Sequence, residues 1–275
     1  MPIPIEPSDA EARPTPNDPP WNSLIAIMVW VFSVLLILIL PALFLLPYLS
    51  SMGIRVSGNE GFKQFVTSDP TAVFLQLVSI IPAHIITLAL CWLVVTKVRK
   101  YSFYRTLGFS LGRYRWWHFV FILVGVFASA IVIGSIFPER DNDMIRMLRS
   151  SQAAVYLLTI LATFTAPFVE EVVYRGLLYS AFQRSFGPIA AVAIVTMMFA
   201  GVHFFQYWGS PGTLIMITLL SLVLTLIRKT SDNLLPCIVL HFLFNGLQSI
   251  VIIQESFNDA TPVPEPAAML FGFFC

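Results

Sequence analysis

Charge is scarce in this sequence. Asp, Glu, Lys and Arg make up 11% of its 275 residues, while hydrophobic residues make up 57%. A water-facing surface needs a much larger charged share, so a soluble domain of this length is excluded and lipid is the solvent for most of the chain. Cysteine is also rare. Cys91, Cys237 and Cys275 show no pair spacing, and the first two sit in apolar stretches where a small hydrophobe is ordinary, so neither a disulfide framework nor a thiol centre is indicated. Rossmann, P-loop and zinc-finger spacings are missing, as is any fixed-period repeat, and no nucleic-acid partner is expected. The basic, apolar start of a secretory signal is missing too: residues 1–20 are proline-rich and carry Glu6, Asp9, Glu11, Arg13 and Asp18, the composition of a disordered tail.

Long apolar runs are what the chain has in abundance. They occur around 23–49, 72–96, 117–137, 151–169, 188–205, 212–227 and 234–253, each near the roughly 20 residues that a helix needs to cross the hydrocarbon layer. The expected fold class is therefore all-α, a polytopic transmembrane helix bundle. It has seven spans, or eight if the short Ala267 to Cys275 run belongs to another crossing. Between the second and third runs lie Lys97, Arg99, Lys100, Arg105, Arg113 and Arg115 with no acidic residue, which places that loop and the N-terminus in the cytoplasm. The loops at 50–71 and 138–150 mix both signs, as external loops do, while Arg184 and the Arg228–Lys229 pair fall at internal turns. Four stretches follow: a tail over 1–20, N-terminal transmembrane helices with the basic loop over 21–149, a catalytic core of four helices over 150–254, and a C-terminal tail over 255–275. In the absence of a targeting segment, the expected location is a prokaryotic cytoplasmic membrane, or the endoplasmic reticulum in a eukaryote.

Ionisable side chains inside a bilayer cost several kcal/mol and need a partner, a water-filled cavity or a function. The fourth run ends in Pro167-Phe168-Val169-Glu170-Glu171-Val172-Val173-Tyr174-Arg175-Gly176. At about 100° per residue, Glu171 and Arg175 share a helix face and can pair, whereas Glu170 projects well away from Arg175. One ion pair needs only one glutamate, so Glu170 is left as a free carboxylate, the type of group that acts as a general base. Pro167 removes a backbone donor just before the site, which favours a kink there.

The fifth run carries Phe199-Ala200-Gly201-Val202-His203, and the seventh carries His241-Phe242-Leu243-Phe244-Asn245. With a turn at Gly187-Pro188, Glu170 and His203 lie about 24–26 Å from that turn on antiparallel helices and should face each other. A lone membrane histidine is often only a bridge between helices. Two histidines, an asparagine and a spare glutamate on neighbouring helices point instead to a site. His84, isolated in the second run, and His118, beside Trp116-Trp117 at an interface, read as structural.

The ordered set Glu-Glu-x-x-x-Arg, Phe-x-x-x-His and His-x-x-x-Asn over residues 150–250 resembles the three motifs of the CAAX protease and bacteriocin-processing family, which includes the CAAX prenyl endopeptidase and Abi-type bacterial proteins. The resemblance implies an intramembrane glutamate-dependent endopeptidase, without a metal or other cofactor, acting on a membrane-associated substrate that is prenylated or leader-bearing. It implies that Glu170 and His203 activate water, that His241 and Asn245 stabilise the oxyanion, and that Glu171 and Arg175 support the site. Residues 1–150 show only a generic hydrophobic pattern. Two alternatives stand beside this reading. One is a zinc peptidase using Glu170, His203 and His241 as ligands, although no His-Glu-x-x-His motif is present. The other is a non-enzymatic immunity, scaffold or transport protein, although no inverted repeat suggests a transporter.

Overall fold

The computed structural model describes residues 13–53, 59–138 and 143–256. Among these residues the fold is all-helical, with no β-strand. Helices α1 (Ser23–Ser51), α3 (Pro70–Thr96) and α5 (Trp116–Ile136) are long and apolar enough to span a bilayer; α2 (Asn59–Ser68) and α4 (Phe103–Leu107) are short connectors. After α6 (Asp143–Ser150) come α7 (Gln152–Phe186), α8 (Pro188–His203), α9 (Pro211–Ser231) and α10 (Leu235–Ser256). Among the described residues, six helices meet the length and composition of a membrane span, and α8 is a shorter apolar helix of 16 residues. The seven runs expected from the sequence all appear, and the chain is an integral membrane protein. The Ala267–Cys275 run lies outside the described residues, as does most of the expected C-terminal tail.

Local chemistry sets the helix ends. Asn22 and Asp69 cap α1 and α3 by accepting the backbone N–H of Ile25 and Ala72, and Pro70 occupies the first turn of α3, where its missing donor costs nothing. His118 accepts the Arg115 backbone N–H and so closes the start of α5. Gly187, at φ +82°, makes the sharp turn between α7 and α8. The outer faces of α1, α3 and α5 expose residues such as Leu24, Leu38, Ile85, Phe121 and Ile131. In water these faces would aggregate; in lipid they need no cover.

Helices α7, α8, α9 and α10 pack in sequence, and α10 returns to α7, so they form a closed four-helix group. Helix α5 covers α9, while α1 and α3 pack on each other and on α7. The apolar run 151–169 continues as one helix through the polar residues to Phe186, ending at the turn expected at Gly187-Pro188, because those polar residues are satisfied inside the bundle. The helix contains two π-helical stretches, Leu161–Thr165 and Val172–Leu178, which flank the glutamate pair.

Residues 13–22, most of which were expected to belong to a disordered tail, are held against the basic end of the bundle; residues 1–12 lie outside the described residues. Trp21 is buried and donates its indole N–H to Leu177 O at 3.1 Å, a carbonyl in the second π stretch. Arg184 donates to Pro19 O and Trp21 O, and the fully buried Arg228 donates to Pro16 O at 2.7 Å. The prolines leave these carbonyls free of regular structure, and the arginines satisfy them. Gly108, at φ +78°, presents its carbonyl to the Leu234 N–H at 2.8 Å. A Cβ at Gly108 would meet Asn233 Oδ1 at 2.8 Å, so the close approach requires glycine there.

Candidate active site

The site is built on the stretch of α7 between its two π segments. In the first, the Ala166 N–H bonds back to Leu161 O. In that register the next carbonyl, Ala162 O, would need the N–H of residue 167, which is proline and has none. Asn245 on α10 supplies the missing donor, with Nδ2 at 2.8 Å from Ala162 O. The π turn ahead of the glutamates is thus fixed jointly by Pro167 and Asn245. Such turns are frequent at functional sites.

Glu171 lies at the centre of a fully buried network. Its Oε1 accepts from Arg175 Nη1 at 2.9 Å and from His241 Nδ1 at 2.8 Å. Arg175 places its other donors on Thr225 Oγ1 at 3.2 Å, Ser221 O at 2.9 Å and Ser221 Oγ at 2.8 Å, and its guanidinium lies over the Phe199 ring at 4.8 Å. Buried charge is tolerated here because every partner is a strong acceptor or an aromatic face. A carboxylate only accepts, so His241 carries a proton on Nδ1.

Glu170 has a different environment. Its side chain is 20% exposed, against 0% for Glu171, and this difference decides which carboxylate reaches open space. Glu170 Oε2 has no hydrogen-bond partner among the described residues, and it lies 3.8 Å from His241 Nε2. His203 bonds through Nδ1 to Phe199 O at 2.7 Å. A carbonyl accepts, so Nδ1 is the donor and Nε2 of the neutral ring is left as an acceptor. Glu170 and His203 line one cavity of about 520 Å³, together with Tyr174, His84 and Gln206. Its other walls are mostly apolar side chains of α1, α3 and the first half of α7.

The structure therefore brings Glu170 and His203 to one cavity and places His241, which is fully buried and does not line it, 3.8 Å behind Glu170, with Glu171 and Arg175 buried beside His241. Asn245 does not line the cavity; one of its N–H donors is spent on Ala162 O. Among the lining residues that the sequence reading did not assign to the site are Tyr174, His84 and Gln206. Tyr174 is four residues after Glu170, a spacing that could have pointed to it, and its hydroxyl accepts the Trp30 indole N–H at 3.0 Å. His84, read as merely structural, lines the cavity and contacts Thr165 Oγ1 through Nδ1 at 3.0 Å, a partner 81 positions away that no local pattern announces. Gln206, just beyond α8, carried no signal. His118 stacks on Trp117 and serves as a cap. Among the described residues, no group of three or more His, Cys, Asp or Glu side chains is arranged to hold a metal ion.

Comparison with known families covers the same stretch as the motifs. Residues 152–247 match the family model described as type II CAAX prenyl endopeptidase, Rce1-like. This segment is similar to the CAAX endopeptidase family. The CAAX-family match begins where α7 begins and ends within α10, so it coincides with the closed four-helix group and holds every motif residue. No curated protein and no solved structure matches the chain.

Proposed function

We propose that this protein is an intramembrane CAAX-type endopeptidase that hydrolyses a peptide bond of a membrane-associated substrate with a water molecule activated by Glu170 and His203. The observation that carries the reading is that Glu170, one of whose oxygens has no partner among the described residues, lines the same cavity as His203, next to a carboxylate that is wholly buried and paired. Two acceptors on one cavity can hold both hydrogens of one water and aim its lone pair at a carbonyl carbon. Glu170 takes the proton as the C–O bond forms and later returns it to the leaving amine. His241, held by Glu171 through Nδ1, has Nε2 3.8 Å from Glu170 Oε2; the proton that Glu170 takes from water passes to this nitrogen, donates from there to the tetrahedral oxyanion, and goes back through Glu170 to the leaving amine. Asn245 acts through the backbone, holding the π turn that sets the position of Glu170. Glu171 and Arg175 orient His241.

A farnesylated Cys-a-a-X peptide, with its unprenylated counterpart, is a suitable probe for the purified protein in detergent. His203→Ala is expected to lower the cleavage rate by about 10²–10⁴-fold with little change in KM, the usual size of a lost acid–base partner. A zinc chelator is expected to leave the rate unchanged. Loss of activity on chelation, with recovery at one zinc per chain, would establish the zinc reading in its place.

A further inference from the structure

The cavity and the basic loop lie at opposite ends of the bundle. Between α3 and α5 stand six cations and no acid, which fixes that end as cytoplasmic. The start of α1, the α7–α8 turn and the α9–α10 joint meet at the same end: Ser23 Oγ and Ser185 Oγ lie 2.8 Å apart, Asn17 Nδ2 donates to Asp232 Oδ1 at 2.7 Å, and Leu234 N donates to Gly108 O. Exposed aromatic residues bracket the bundle as interfacial belts do, with Trp116 and Trp117 at the basic end and Phe205 and Trp208 at the other.

The basic end is closed. The segment 13–22 is bonded across it through Trp21, Arg184 and Arg228, and Leu107, Leu177, Tyr179 and Leu234 beneath it are all buried. No residue of 96–119, 177–190 or 225–240 lines the cavity. Its walls run the other way, from Glu170 to Ala154 on α7, and include Pro41, Gln76, Leu148 and Gln206, all toward the far end. Along α7 that route covers sixteen residues, about 24 Å at the helical rise.

We propose that the site is served from the membrane face opposite the basic loop, so that its substrate is a peptide segment presented on the non-cytoplasmic side. This rests on the reading of the Glu170 cavity as hydrolytic and narrows its substrate class. A carboxyl-terminal peptide exposed only to the cytoplasm would face the sealed end. In detergent both ends are accessible, which leaves a farnesylated peptide usable as an assay probe though not as the native class.

Single-cysteine labelling tests the proposal. In a Cys275→Ser background, where Cys91 and Cys237 are buried, Gln206→Cys and Arg113→Cys are each exposed to a membrane-impermeant maleimide in intact cells and after permeabilisation. Gln206→Cys is expected to label in intact cells at least tenfold more than Arg113→Cys, which should label only after permeabilisation. The reverse order, or equal labelling of both in intact cells, overturns the proposal. Labelling needs no catalysis and should be the same when Glu170→Gln is added. Failure of the hydrolytic reading would therefore leave this labelling intact while no Glu170-dependent cleavage is found, whereas failure of the sidedness reverses the labelling and leaves cleavage in detergent untouched.

Discussion

Glu170→Gln is expected to lower peptide cleavage by about 10²–10⁴-fold, the contribution of a positioned general base, while the protein still folds and inserts. Glutamine has nearly the shape of glutamate but cannot take a proton from water. The substitution removes no hydrogen bond, because Glu170 Oε2 has no partner among the described residues and the side chain is partly exposed. The thermal midpoint in detergent should therefore stay near that of the parent. Glu171→Gln should behave differently. Its carboxylate anchors both Arg175 and His241, so stability and rate should fall together. Kinetics of the two variants beside their melting curves separate a base from a structural carboxylate. Equal rates in parent and Glu170→Gln would remove the proposed base.

Arg175→Met is expected to have the largest effect on stability, a loss of about 3–5 kcal/mol, because it strands a buried carboxylate that had been paired. The guanidinium bonds Glu171 Oε1, Thr225 and Ser221 at once, all of them fully buried. Arg175→Lys keeps the charge but loses the planar fork, so it should fall between the two. The check is the melting midpoint and the fraction of monodisperse protein after extraction. Parent-like melting of Arg175→Met would show that the buried pair carries little of the fold.

The spans were legible because hydrocarbon demands long apolar runs whatever the partners are. The site residues were legible for a related reason: a costly polar group in lipid stands out against its surroundings, and the helical i, i+4 spacing tells which groups share a face. Glu171 meets Arg175 in this way, and His203 reaches back to Phe199. What the sequence concealed depends on partners far along the chain. The π turn before Glu170 arises from the missing donor of Pro167, but its repair by Asn245 spans 83 positions. The ordering of residues 13–22 is of the same kind. Their composition is that of a solvated tail, yet Pro16 O is claimed by Arg228, 212 residues away, and Trp21 by a π-helical carbonyl. Arg228 itself looked like a cation at an internal turn and is fully buried.

The most direct test is a comparison of peptide termini in membranes from cells carrying either the parent protein or Glu170→Gln at equal abundance. A defined set of new termini, present with the parent and replaced by uncleaved precursors with Glu170→Gln, is the predicted result. Indistinguishable termini in the two membranes would contradict the claim that Glu170 activates water for peptide hydrolysis.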